Sequence, residues 1–159
     1  MPPAVLAVST SEARRSRIAG ILEQGDAGLS IRCQVAFTNC RKYMTPTVSA
    51  GSGVRVGPAA HEPLPIDDPW VASTVAGAET AFLVTVTPTG VADASHRGGP
   101  PGFLRYTPSP AALEWTEYLG DGMFVSTGNL RLDRRFALVV LDFSTGDALR
   151  LDGEARYTN

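Results

Sequence analysis

An apolar segment followed by a glycine- and proline-rich stretch limits what this chain can fold into more than any other feature. Residues 81–86 are apolar and predict a strand. Residues 91–105 then place a hydroxyl, an imidazole and a guanidinium on consecutive positions before the glycines and prolines. Glycine lets backbone N–H groups approach a ligand, proline stiffens a loop, and arginine offers donors that suit phosphate. The pattern predicts an anion-binding loop between two strands, although a tight turn with an exposed arginine is an equally good interpretation.

A second segment, residues 118–130, predicts a short helix. Asp121 is a candidate N-cap. The apolar residues near it recur at roughly helical spacing: Met123, Phe124, Leu130 and Leu132. Such a helix would direct its free N–H groups toward a bound anion, with Ser126, Thr127 and Asn129 supplying hydrogen bonds. An ordinary capped helix with a polar surface is the alternative, and the segment alone favours it.

Together the segments give an order of elements that resembles a known family. Further strands are predicted over 102–106, 113–118 and 136–143. The chain resembles the pyridoxamine 5′-phosphate oxidase-like family of FMN-binding split barrels over about residues 68–157. The motifs that carry the resemblance are residues 93–103, 128–130 and 141–155, and an upstream motif, Phe37 to Tyr43, extends it.

The resemblance implies a mainly β fold: a six-stranded antiparallel split β-barrel with a few short helices. It also implies a homodimer that holds FMN in a cleft between its subunits. The expected function is that of an FMN-dependent oxidoreductase acting on an unidentified small molecule. The alternative is a protein without turnover that binds flavin, deazaflavin F420 or haem, or that serves in assembly. Pyridoxamine-phosphate oxidase activity itself is not expected, because that enzyme's C-terminal substrate motif is missing.

The resemblance also implies a set of cofactor-binding residues: Ser95, His96, Arg97, Gly98, Phe103, Arg105, Asp121, Met123, Ser126 and Asn129. The first four would approach the phosphate and ribityl chain, the next two the edge of the ring, and the helix residues the phosphate side. Many family members carry a lysine where Ser126 stands, so Arg97 has to supply the missing charge. The flavin provides most of the chemistry, which leaves the catalytic residues unassigned and gives His96 a hydrogen-bonding role.

Composition and charge exclude several classes of function. The 159 residues suffice for one globular domain, and 16 glycines and 12 prolines favour a turn-rich β fold. A net charge of −2 gives no electrostatic footprint for a nucleic-acid partner. The pairs Arg14-Arg15 and Arg134-Arg135 are therefore expected to be solvated strand ends.

The chain also lacks the signals of membrane proteins, secreted proteins and metalloproteins. No apolar run is long enough for a transmembrane helix, and the first residues lack the basic start of a signal peptide. We therefore expect a cytoplasmic protein with no membrane partner. Cys33 and Cys40 are expected to be reduced thiols, since His61 and His96 lie too far away in sequence to complete a zinc site.

A weak internal repeat suggests how the chain is organised. Residues 4–23 align with residues 137–156 without gaps, which predicts a β-hairpin over 5–22, although the segment 12–15 alone favours helix. The resemblance divides the chain into residues 1–49, the hairpin and helix that end one split-barrel unit; residues 50–65, a Gly/Pro linker; and residues 66–159, the FMN-binding core.

The order of these parts implies a permuted barrel. In a complete unit the motif at Asn39–Tyr43 would follow the core, on a closing helix, but here it precedes the core. The N-terminal part can therefore close the barrel of its own chain, or of a partner by strand exchange. Without that closure a sheet edge would stay unpaired. Ahead of the core, residues 67–74 predict a helix whose acid pair matches the dipole at its N-terminus.

Overall fold

The structure of the chain is a computed structural model. It describes residues 3–9, 12, 14–26, 28–40, 42–43, 62–120, 122–142 and 145–158. Most of the linker predicted over 50–65 lies outside these residues, as do His61 and Asp121.

The described residues form a mainly β fold with antiparallel sheets, as predicted. The strands are β1 Ala4–Ser9, β2 Arg14–Gly25, β3 Gly28–Thr38, β4 Thr80–Val86, β5 Ala92–Gly98, β6 Leu104–Pro108, β7 Ala111–Trp115, β8 Arg135–Leu141 and β9 Ala148–Glu154. The helices are α1 Pro69–Ala76 and α2 Val125–Leu132. The sheets have the orders β1-β2-β3, β5-β4-β8-β9 and β6-β7. No ladder between the described strands closes a barrel.

The N-terminal sheet, β1-β2-β3, confirms the hairpin predicted over residues 5–22. Its β1 and β2 pair with Val5 opposite Ile18, and pairing continues to Arg14, so the local preference of residues 12–15 for helix is overridden. β3 then pairs along β2 across a bulge at Ala19 and Gly20. A helix was expected to carry the Asn39–Tyr43 motif, but the described residues of that motif follow β3 as irregular chain and a turn.

The second sheet contains the core and corrects the expectation for the Ser-His-Arg segment. β4 lies in the middle and alternates buried residues such as Ala81 and Leu83 with more exposed ones. Residues 95–97 were predicted to lie in a loop, but they belong to β5, with His96 opposite Phe82. They pair because β5 follows β4 through a short turn, and the glycine-proline turn begins only after Gly98.

Both helices pack beside this core, and only the first begins as predicted. Asp68 caps α1 by accepting a hydrogen bond of 2.8 Å from the Trp70 N–H, which confirms the helix predicted over 67–74. α2 begins at Val125, and its N-cap is Phe124 in a left-handed conformation with no side-chain cap. The prediction of Asp121 as the N-cap is therefore wrong.

The apolar face predicted for α2 is also mostly wrong. Of the four residues assigned to it, Leu130 is buried, whereas Met123, Phe124 and Leu132 are exposed. Met123 and Phe124 precede the helix, in the segment that leads into it. No described helix has the length and apolar character needed to span a membrane.

Candidate functional site

A polar cleft lies between the N-terminal sheet and β5. It encloses about 670 Å³, including the space at its open mouth. Two strands, β2 and β5, line the cleft together with the segment after β3, the segment after β7 and the start of α2. The described lining residues are Arg15, Arg17, Asn39, Cys40, Lys42, Tyr43, His96, Arg97, Gly98, Thr116, Glu117, Tyr118, Gly120, Gly122, Met123, Phe124, Val125, Ser126 and Thr127.

Positive charge dominates this lining. Three arginines and a lysine line the cleft together with one carboxylate, that of Glu117, among its described residues. Glu117 is engaged by Arg97, whose Nε donates to it over 2.8 Å. Lys42 is exposed and forms no ion pair with any residue in the described ranges. A cleft of this composition attracts anions.

Arg15 and His96 form the buried floor of the cleft. Arg15 is 5% exposed. Its guanidinium donates to His96 Nδ1, to the carbonyl of Cys40 and, over 3.0 Å, to the carbonyl of Lys42. Because Nδ1 accepts a hydrogen bond, the neutral ring carries its proton on Nε2. That Nε2 is buried and makes no hydrogen bond to a described residue.

The same surroundings keep His96 neutral. Burial, followed by the positive charges of Arg15 and Arg97, lowers the pKa of His96 to about 3. The imidazole therefore does not titrate near neutral pH: its Nδ1 accepts from Arg15, and its Nε2 keeps the proton. The hydrogen-bonding role toward a cofactor that the sequence suggests for His96 stays a prediction.

A chain of hydrogen bonds runs from the N-terminal sheet beneath the cleft. Arg17 donates to Asp93 Oδ1 over 3.0 Å, and its guanidinium lies 5.6 Å from the centre of the Phe37 ring. The Ser126 hydroxyl donates to the other oxygen of Asp93 over 2.7 Å. β2, β5 and the start of α2 therefore meet at one carboxylate.

The chain of hydrogen bonds continues through Ser95 to Arg97. The Ser95 hydroxyl lies 2.8 Å from that of Ser126, and Arg97 donates to Ser95 over 3.0 Å. Glu117, which pairs with Arg97, also accepts a hydrogen bond of 2.8 Å from the Trp115 indole. These bonds fix the guanidinium of Arg97 against the wall of the cleft.

Two tyrosines lie at the mouth. The rings of Tyr43 and Tyr118 stack with centroids 5.0 Å apart and an interplanar angle of 24°. The Tyr43 hydroxyl donates to the carbonyl of Leu119 over 3.1 Å. Tyr43 has φ of +62°, and a β-carbon on Gly98 would collide with its carbonyl oxygen. The turn can approach β5 because residue 98 is a glycine.

The structure brings only some of the expected cofactor-binding residues to the cleft. Those that line it are His96, Arg97, Gly98, Met123 and Ser126. Ser95 lies fully buried beneath it, and Phe103 belongs to the core. The exposed Arg105 pairs with Glu114 at 3.2 Å. Asn129 is buried and donates to the Thr85 hydroxyl over 3.1 Å. Asp121 is outside the described residues.

Sequence reasoning missed the contribution of the N-terminal sheet. Arg15 was expected to be a solvated strand end, and that expectation is wrong, since the residue is buried in the cleft. Arg17, Lys42 and Tyr43 were not assigned to the site either. A signal was available, because Arg15 and Arg17 alternate on one strand of the predicted hairpin and so share a face.

Comparisons with family models, with curated proteins and with solved structures find no match. A function for the cleft is therefore proposed from the chemistry of its lining.

Proposed function

We propose that the cleft binds FMN and that the chain is an FMN-dependent oxidoreductase acting on a small molecule. One observation carries the proposal: a cluster of cations and a pair of stacked tyrosines line the same cleft. FMN combines an anionic phosphate with a large aromatic ring, so it can use both.

The phosphate end of the ligand suits the positive wall. Arg97 of β5 and Lys42, which follows β3, both line the cleft. Arginine binds phosphate through a planar fork of donors, and lysine binds it as a mobile point charge. Ser126, where the family resemblance leads one to expect a lysine, is buried and bonded to Asp93. The cations of the N-terminal sheet supply the charge that this position lacks.

The ring end suits the mouth of the cleft. Tyr43 and Tyr118 present flat, half-exposed rings, and Met123 and Phe124 add apolar surface beside them. Aromatic faces stack favourably, and a methionine sulfur packs well against a ring. A ligand acceptor near His96 Nε2 would also satisfy a buried donor, which is otherwise costly to leave without a partner. When bound, FMN would supply hydride and electron transfer.

We also infer that the three sheets correspond to a permuted split barrel. The N-terminal sheet packs against β5 of its own chain, through contacts of both β1 and β2. Closure within one chain is therefore favoured over strand exchange with a partner.

The test compares two arginines that differ in position. Arg97→Ala removes a cation from the cleft, whereas Arg105→Ala removes one from an exposed Arg–Glu pair elsewhere. A charge-assisted hydrogen bond is worth about 1.5–3 kcal/mol, so Arg97→Ala should weaken FMN binding roughly 10- to 150-fold. Riboflavin, which lacks the phosphate, should lose much less, and Arg105→Ala should change neither affinity. Fluorescence titration measures all four values.

The identity of the cofactor is tested on the purified wild-type protein. We expect the absorbance of oxidised flavin and the release of FMN on heating, identified by mass. Release of deazaflavin F420 or haem would replace FMN in the proposal. A colourless protein that binds neither FMN nor riboflavin would refute it, as would equal losses of both affinities in Arg97→Ala.

A further inference from the structure

The ion pair between Arg97 and Glu117 uses only part of the carboxylate. Arg97 Nε donates to Glu117 Oε1 over 2.8 Å, and the indole Nε1 of Trp115 donates to the same oxygen over 2.8 Å. The other oxygen, Glu117 Oε2, accepts no hydrogen bond from a described residue. An arginine and a carboxylate that serve only to hold each other commonly pair through two parallel hydrogen bonds. Here the carboxylate is fixed through one oxygen, and the other is available to a ligand.

The guanidinium of Arg97 is also only partly used. Its Nη1 donates to the Ser95 hydroxyl and to the carbonyl of His96, each over 3.0 Å. Its Nη2 donates to no acceptor within the described ranges. Arg97 and Glu117 both line the cleft, their side chains are 13% and 23% exposed, and the two unused atoms keep accessible surface. Two directly paired groups therefore present a cationic donor and an anionic acceptor to the cleft.

The chemistry of these two atoms indicates a ligand with an anionic group near a hydroxyl. Arg97 Nη2 suits an anionic oxygen such as that of a phosphate. An ionised carboxylate only accepts hydrogen bonds, so Glu117 Oε2 needs a donor from the ligand. A protonated amine would be repelled by the three arginines and the lysine among the described lining residues. A hydroxyl supplies the donor without a positive charge, and it can stand on the carbon chain that carries the phosphate.

We propose that Glu117 is a specificity-determining residue, which selects phosphate monoesters that carry hydroxyl groups on the adjoining carbon chain. The inference rests on the proposed binding of a phosphate in the cleft, and it names the ligand class as phosphorylated polyols. FMN belongs to this class through its ribityl chain. The Glu117 carboxylate disfavours a bare phosphate at Arg97, because two negative charges then lie close together. A hydroxyl that donates to Oε2 offsets this repulsion, so the pair discriminates between phosphates by what they carry.

The first test compares two ligands that differ only in their hydroxyl groups. Glycerol 3-phosphate and n-propyl phosphate share the phosphate and the length of the carbon chain. The wild type should bind glycerol 3-phosphate about 10-fold more tightly, because a hydrogen bond to a charged group is stronger than one between neutral groups. The NMR signal of the Trp115 indole N–H, which donates to Glu117, follows both titrations. For a chain that purifies with FMN, the concentrations of the two phosphates that halve flavin binding give the same ratio.

The second test removes the charge of Glu117 while keeping its shape. Glu117→Gln should bind propyl phosphate more tightly than the wild type does, because the negative charge beside the phosphate is gone. Its preference for glycerol 3-phosphate should fall below about threefold, since the hydroxyl no longer meets a charged acceptor. Glu114→Gln is the matched control, at an exposed carboxylate that pairs with Arg105 and does not line the cleft, and it should change neither affinity. A merely structural role for Glu117 would instead weaken the binding of both ligands.

The outcomes separate this inference from the proposed function. Equal affinities of the wild type for the two phosphates would overturn the role of Glu117, as would an unchanged preference in Glu117→Gln, and FMN could still bind in either case. Binding of neither phosphate would overturn it as well. A wild type that prefers glycerol 3-phosphate but binds no FMN would refute the proposed function and support the role of Glu117. Circular dichroism checks that Glu117→Gln is folded, and if it is not, the comparison of the two ligands on the wild type decides.

Discussion

At the residue scale, Arg15 is the centre of the cleft. Its guanidinium fixes the tautomer of His96 and donates to two carbonyls of the segment that carries Lys42 and Tyr43. One buried side chain on β2 therefore sets a donor on β5 and the position of the turn at the mouth. The contact joins residues 81 positions apart in sequence.

The neutral state of His96 predicts a pH dependence of stability. Its pKa is about 3 in the folded chain and about 6.5 when unfolded. The unfolded state therefore binds more protons between these values. The free energy of unfolding should be highest above pH 6.5 and fall by up to about 1.4 kcal/mol per pH unit below it. Urea unfolding at pH 7, 6 and 5 measures this slope.

His96→Asn is the matched variant for this experiment. Asparagine keeps an acceptor near the position of Nδ1 but does not titrate, so this component of the slope should disappear. Identical slopes in the wild type and the variant would show that His96 does not control the acid sensitivity.

At the element scale, replacing either of two glycines by alanine should change the stability of the fold in opposite directions. A β-carbon on Gly98 of β5 would collide with the carbonyl of Tyr43 and with the His96 ring. Gly98→Ala should therefore destabilise the fold by about 1–3 kcal/mol and displace the turn at the mouth. Gly128 lies within α2 and has open space around it. Gly128→Ala should stabilise the fold by up to about 1 kcal/mol. Thermal unfolding of both variants measures this contrast. Equal changes in stability for the two variants would contradict it.

The sequence predicted a structural feature more reliably when the residues that determine it lie close together in the chain. The helix capped by Asp68 was predicted because capping is a local signal. The hairpin over 5–22 was predicted from the internal repeat, against the local preference of residues 12–15 for helix. Residues 95–97 were assigned to a loop because they are polar, yet they pair with β4, where His96 and Ser95 become buried. Burial of polar residues in a strand depends on distant partners, and a local pattern does not reveal them.

The same limit explains the incomplete prediction of the cleft. The β5 residues His96, Arg97 and Gly98 were recognised from a motif within one segment. Arg15 and Arg17 were missed because their partners on β5 lie more than 70 residues away. Their alternation places Arg15 and Arg17 on one face of the hairpin and the exposed Arg14 on the other, but alternation alone does not show which face is buried.

At the scale of the whole molecule, an ion pair joins the N-terminal sheet to the core. The side chains of Arg17 and Asp93 are 13% and 12% exposed and lie 3.0 Å apart. Arg17→Met and Asp93→Asn should each cost about 3–5 kcal/mol, because each leaves a largely buried charge without its partner. The double variant should cost clearly less than the sum. Chemical denaturation of all four proteins gives the coupling, and additivity within about 0.5 kcal/mol would contradict the pairing.

The link between Arg17 and Asp93 also sets an order of events during synthesis. The two residues are 76 positions apart. At about 5–20 residues per second, the ribosome needs roughly 4–15 s to pass from one to the other. A β-hairpin closes within about 1–10 μs. In each round of translation the first sheet can therefore form seconds before its arginines meet β5, and during that interval its inner face is open to contact with other proteins.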